Sequence, residues 1–207
     1  MKQMIIGIVL TLFTFINCST TEAAGNGWTV KLYGGLLDSS AMMEGDGDAA
    51  FLRAEAKGSA AFSIGLEYRL AERFGIELST LFSNIDIDFS AQLGNWTTAK
   101  SIQLEMMPLT LGFNLHLTPG SRFDFYVASS ISYVRYGDIE YNIEELEIDE
   151  RITIGSDSPA FGLALGIDMP FGSSGWSFAA QAQKMWTDAE DIAIDPVMIL
   201  VGFGYHF

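Results

Sequence analysis

One cysteine, two histidines and eleven lysines and arginines are all that the 207 residues offer to thiol, imidazole or cationic chemistry. Cys18 has no second cysteine to pair with, so a secreted form of this chain must be stabilised by something other than disulfides. His116 and His206 are too few to build a metal cluster, and no phosphate loop or nucleotide fingerprint is present, so no cofactor is expected. The 11 basic residues face 26 acidic ones, for a formal net charge of −15, which excludes the basic stripe that a nucleic-acid partner requires. The apolar run from Met4 to Ile16 is too short to cross a bilayer as a helix. After residue 24 there is no convincing helical period either. Yet 49% of the residues are hydrophobic and 13% aromatic, too apolar a composition for disorder. Strong acidity beside a mean hydropathy of +0.24 requires that charge and apolar surface be segregated.

The N-terminal stretch has its own logic. Lys2, the run Met4–Ile16 and a small, polar close on Ala23 and Ala24 have the layout of a secretory signal, so residues 1–23 are assigned to a signal peptide and 24–207 to one domain. Cys18 follows Phe15, Ile16 and Asn17 rather than small residues, which argues against an acylated cysteine. Cleavage after Ala23 leaves a mature protein without cysteine.

Beyond residue 24 apolar residues recur at every second position, interrupted by turn signals. "GWTVKLYGGLL" aligns Trp28, Val30, Leu32 and Leu36; "RFDFYVASSISYV" aligns Phe123, Phe125, Val127, Ile131 and Tyr133; "AFGLALGIDMPF" aligns Phe161, Leu163, Leu165 and Ile167. Eight such segments are predicted, ending with "DPVMILVGFGYHF". Short connections (71–73, 118–121, 172–175) alternate with longer polar ones (38–57, 90–100, 138–157, 188–194), as in an up-and-down meander with both termini on the short-turn side.

The second face of these strands decides what surrounds them. It carries Gly65 and Glu67, Gly112 and Asn114, Ala128 and Ser130, Gly166 and Asp168: too small and too rarely charged to solvate an exterior, but suited to a narrow barrel interior. The large residues then face lipid, with aromatics such as Trp28, Tyr68, Phe74, Phe123 and Trp176 gathered near the short-turn ends as an interfacial girdle. Lipid satisfies no backbone N–H or C=O, so the sheet has to close on itself. The expectation is an all-β, eight-stranded antiparallel up-and-down transmembrane β-barrel in the bacterial outer membrane, both termini periplasmic, in contact with membrane lipid and lipopolysaccharide. The last strand, with Phe203, Tyr205 and Phe207 at alternate positions, resembles the recognition signal of the barrel assembly machinery.

The segment "MPLTLGFNLHLTPGSRFDFYVASSISYV", with "FGIEL" (74–78) and the ending "IDPVMILVGFGYHF", resembles the outer membrane protein W (OmpW) family. In that family a Pro-Thr-Leu segment leads into an alternating strand, a tight turn and a strand containing "PYVGAGxNY". Here Asp124 precedes the aromatic pair, and Ser129–Ser130 stand where a glycine step is usual. The resemblance implies a narrow apolar-lined channel for small hydrophobic molecules, with lateral exit into the membrane. By register, Tyr33, Leu37, Leu81, Met185, Met198 and Leu200 line the long-loop half of the lumen. Lys31, Glu67, Arg69, Glu77, Asn114, His116, Asp124 and Asp168 collect near the short turns as a polar plug, or as inert filler of the floor. Around Pro108 the apolar parity slips from Ile102, Leu104 and Met106 to Met107 and Leu109, and a proline inside a closed sheet points to a wall bulge there. The alternative function is a structural or adhesive barrel acting through its loops.

Other features carry less. The acidic run 138–150 suits a solvated loop better than a divalent-cation bridge to lipopolysaccharide, and "EGDGDAA" (44–50) lacks the calcium-loop spacing. No serine motif of a lipid-acting enzyme surrounds His116, so no enzymatic activity is expected.

Overall fold

The computed structural model describes residues 27–39, 42–47, 50–93, 96–137, 141–143, 148–150, 157–187 and 195–207. Residues 1–23, expected to be a signal peptide and including Cys18, and most of the acidic run 138–150 lie outside the described residues. Eight long strands form a closed ring: β1 (Gly27–Ser39), β4 (Ser59–Ala71), β5 (Phe74–Leu93), β6 (Trp96–His116), β7 (Asp124–Tyr136), β10 (Ser158–Pro170), β11 (Trp176–Thr187) and β12 (Pro196–His206). Each pairs antiparallel with its neighbours, and β12 returns to β1 in register from Thr29↔His206 to Ser39↔Pro196. The Phe207 N–H donates to the Trp28 carbonyl at 2.9 Å, so the chain end is tied into the seam. No helix occurs among the described residues. Gly120, Gly172 and Gly175 take positive φ (72°, 60° and 76°) in the two short turns after β6 and β10, the conformation that only glycine adopts cheaply.

Two of the expected polar connections are strands instead. Residues 38–57 hold β2 (Met42–Gly47) and β3 (Ala50–Lys57), with β3 paired to the upper part of β5. Residues 90–93 and 96–100 are the ends of β5 and β6, which run 20 and 21 residues. About 9–11 residues of tilted strand cross a bilayer, so roughly half of each continues past it. A small hairpin, β8 (Tyr141–Ile143) with β9 (Ile148–Glu150), lies within 138–157.

The expected bulge at Pro108 is not there. Pairing runs Thr80↔Leu109, lapses opposite Leu81–Phe82 and Met107–Pro108, and resumes at Ser83↔Met106 without a residue gained. On the other side Pro108 stays in register with Val134. The lapse follows from chemistry: proline has no N–H to give the β5 ladder. The Pro108 carbonyl instead accepts from Thr80 Oγ1 at 3.0 Å. The one register shift in the β4–β5 pair falls between Arg69 and Ala71, at a short turn.

The parity slip that suggested a bulge has another cause. Inward positions stay even along β6 (Leu104, Met106, Pro108, Thr110, Gly112, Asn114, His116) and odd along β5. What changes at Pro108 is the environment of each face. On the short-turn side Leu78, Leu109, Leu111 and Phe113 are exposed and the interior is polar. Beyond Phe82 and Met107 the exposed residues include Asn84, Ser101, Gln103 and Glu105, while Ile85, Ile87, Leu104 and Met106 are buried. The sheet leaves hydrocarbon there and becomes a barrel of the soluble kind, greasy inside and wet outside.

Candidate functional site

The apolar belt is continuous round the ring. Leu36, Leu165 and Ile199 are 69%, 64% and 63% exposed, which a water-facing surface of this extent would not tolerate. At the short-turn rim Trp28 packs on Tyr68 (ring centroids 4.6 Å apart) and Trp176 on Tyr205 (4.9 Å), the amphipathic contacts expected at headgroup depth.

Inside, the eight polar residues singled out from the sequence form one network. Lys31, fully buried on β1, places Nζ 2.8 Å from Glu67 Oε2 and 3.5 Å from both Glu77 Oε2 and Asp168 Oδ2. Asn114 Nδ2 donates to Glu77 Oε2 at 3.1 Å. His116 lies between two carboxylates, Nε2 at 2.8 Å from Glu67 Oε1 and Nδ1 at 2.8 Å from Asp124 Oδ2. Arg69 Nη2 donates to Asp124 Oδ2 at 3.1 Å. Strand alternation brings these groups to one depth, and small residues between them leave the space. A Cβ at Gly75 would overlap the Glu67 carboxylate, and one at Gly166 would overlap the Tyr126 ring.

Tyr126 belongs to this assembly and was not among the residues picked out, although it shares the parity of Asp124. Lys31 Nζ sits 4.6 Å from its ring centroid, and its hydroxyl donates to Gln181 Oε1 at 3.0 Å and lies 3.4 Å from the Tyr33 hydroxyl. The two tyrosines roof the charged floor. His206 makes a separate contact near the seam, Nδ1 at 2.8 Å from Thr29 Oγ1 and Nε2 at 3.1 Å from Ser177 Oγ, tying β1, β12 and β11 together. Ser177 is wholly buried.

Above the tyrosines Leu37, Leu81, Met185, Met198 and Leu200 are buried in one apolar cluster with Tyr33. Sequence reasoning missed the upper part of that cluster, which includes Ile85, Ile87, Leu104, Met106 and Val134. The alternation in "SNIDIDF" was the signal, since its isoleucines fall on the inner parity of β5. Packing is tight enough that Ile85, Met198 and Val134 have no measurable exposure. Interior and exterior thus divide the molecule into a charged floor within the lipid belt and an apolar compartment above it.

A closed eight-stranded ring with hydrocarbon-facing leucines and a polar interior has one known setting. The outer membrane protein beta-barrel domain matches residues 8–207. The chain belongs to that family. Outer membrane beta-barrel domains of similar shape include OprG from Pseudomonas aeruginosa, at TM-score 0.63 and 16% identity over 88% of this chain and 96% of that one. Neisserial surface protein A (NspA) follows at TM-score 0.58 and 11% identity, over 87% and 97% of the two chains. The outer membrane protease OmpT from Escherichia coli superposes at TM-score 0.53 and 9% identity, over 91% and 99%. At such identities the likeness is one of fold. No curated protein sequence matches the chain. As a small outer membrane beta-barrel domain, the protein resides in the outer membrane with its termini, and hence its short turns, on the periplasmic side.

Proposed function

We propose that this barrel gives small hydrophobic molecules a route from the cell exterior into the outer membrane, as the OmpW resemblance implies. The observation that supports it most is a coincidence of depth. The apolar compartment lies above the charged floor, and the β5–β6 ladder lapses at Leu81–Phe82 and Met107–Pro108, beside Leu81 of its lining. An apolar solute has no favourable path through a floor of buried ions, because those groups would have to give up their partners to let it pass. Sideways exit at Pro108 breaks fewer backbone bonds than exit anywhere else along that strand pair. Ions meet the converse obstacle, a packed apolar compartment. The described lining residues of the compartment are buried against one another, so uptake requires Met198, Met185 and their neighbours to change rotamer. Methionines suit such a role. The reading includes no catalysis.

The test is uptake of an environment-sensitive naphthylamine probe by cells or by proteoliposomes. Wild-type protein should accelerate it; L200D or M198D, which put a charge into the lining, should abolish the acceleration. P108A, which returns an N–H to the ladder, should slow it. Equal uptake with and without the protein would remove the proposal.

A second reading has its own support. β2, β3 and the distal halves of β5 and β6 continue the sheet past the lipid belt, and Asn84, Gln103 and Glu105 face outward there. That is a platform for surface binding. Removing residues 42–57 should then abolish adhesion to host matrix or to other cells while probe uptake persists.

A further inference from the structure

The outward face of β11 runs Trp176, Phe178, Ala180, Ala182, Lys184, Trp186, and one member of that row does not suit hydrocarbon. Lys184 sits in the lipid-facing wall. Its cross-strand partners are Leu163 on β10 and Val197 on β12, 45% and 44% exposed. A charge on the lipid face of a barrel is costly at mid-depth and tolerated only where it reaches an interface. Trp176, packed on Tyr205, marks the periplasmic girdle. From there to Trp186 the strand climbs about 25 Å, at ~3.3 Å per residue and a tilt of roughly 40°, which is the height of the apolar band. Trp186 therefore stands at the outer interface, with Lys184 one pleat below it.

The lysine side chain lies against that tryptophan, Nζ 5.5 Å from the ring centroid. Trp186 in turn stacks on Phe161, with centroids 5.9 Å apart and planes 22° from parallel, and both rings are exposed. Lys57, elsewhere on the same rim, is paired with Asp88, whereas Lys184 forms no ion pair among the described residues. Asp195, at the end of β11, accepts the Thr187 N–H instead. An ammonium thus borders a flat aromatic surface, with apolar wall beneath. We infer that this patch seats one phosphorylated glycolipid of the outer leaflet: a lipid A phosphate on Lys184, its sugar over Trp186 and Phe161, and an acyl chain along Leu163 and Val197. The termini are periplasmic, so this rim meets the leaflet that carries lipopolysaccharide. A phosphate monoester bears about −1.5 to −2 charges, and a chain of net charge −15 offers it few other footholds. The ammonium–phosphate contact is a charge-assisted hydrogen bond at an interface where water is scarce. The inference concerns the outer wall and stands whether or not the lumen conducts.

The experiment titrates the full protein, freed of lipid in detergent, with diphosphoryl lipid A, its dephosphorylated form or phosphatidylglycerol, and counts one-lipid complexes by native mass spectrometry. Wild type should bind diphosphoryl lipid A at least about tenfold more tightly than either of the others, and K184M should lose about that factor. K184R should keep the binding, and W186L should weaken it. R122M, which removes a cation in a short periplasmic turn, should bind as wild type does. Without lipid, K184M should unfold at the wild-type midpoint, because methionine suits a lipid-facing wall; K184Q is the second variant if K184M does not fold. The inference is overturned if both Lys184 variants bind lipid A as wild type does, or if the dephosphorylated lipid or phosphatidylglycerol binds equally well. It is also overturned if R122M loses as much as K184M, or if the lipid-free midpoint falls in both Lys184 variants, since the lysine then serves the fold.

Discussion

Lys31→Met removes one ammonium and keeps most of the stem that fills the space around it. The ammonium faces carboxylate oxygens at 2.8, 3.5 and 3.5 Å. At an effective dielectric constant of ~20 each attraction is worth about 5–6 kcal/mol before any cost is subtracted. Desolvation of the four ions, and repulsion among the three carboxylates, offset much of that. The relevant quantity is the cost of deleting one member and leaving the rest buried, about 3–5 kcal/mol. K31M should therefore lose about that much unfolding free energy, and K31M/E67Q should recover part of it because one stranded carboxylate becomes neutral. The assay is urea unfolding from lipid vesicles in EDTA, read by tryptophan fluorescence and by the gel mobility of the folded barrel. A K31M protein within about 1 kcal/mol of wild type, or a double variant no better than the single, would refute the argument that Lys31 holds the floor together.

Three further outcomes are expected in the same assay. G166V should lose about 1–3 kcal/mol, because its Cβ takes the space of the Tyr126 ring, whereas G34A meets nothing and should be tolerated. L165R, in the middle of the lipid-facing side of β10, should cost about 2–4 kcal/mol, and N84R, on the outer face beyond the belt, should change stability by no more than about 0.5 kcal/mol. H206A should cost about 1–3 kcal/mol by leaving the wholly buried Ser177 hydroxyl without its partner; an unaltered midpoint would show that the seam does not need that link.

The barrel was legible because its two-residue period is strict wherever one face meets lipid: β7, β10 and β12 read directly as large–small alternation, and closure follows from backbone chemistry. The same parity assigned Lys31, Glu67 and His116 to the interior. Alternation gives the face and not its surroundings, however. Ile85 and Ile87 keep the inner parity of Leu81, and Leu104 and Met106 that of Thr110, but an apolar interior and polar exterior invert the pattern expected for lipid. That inversion reads as a slipped register at Pro108 when the whole strand is assumed to lie in hydrocarbon. It also hid the strands in 90–100, a segment whose polar composition reads as loop. The ion pairs were not legible either. Parity puts Asp124 and Asp168 inside; only cross-strand register places them opposite one another.

The inversion along β5 and β6 fixes how deep the molecule can sit. Pushed inward by one turn of the pleat, Asn84 and Glu105 would enter hydrocarbon; drawn outward by the same step, Leu36 and Leu109 would meet water. Vertical position is therefore written into the wall as a single best draught, like a hull's waterline, with no need of a tether or a neighbouring subunit to hold the barrel at its level.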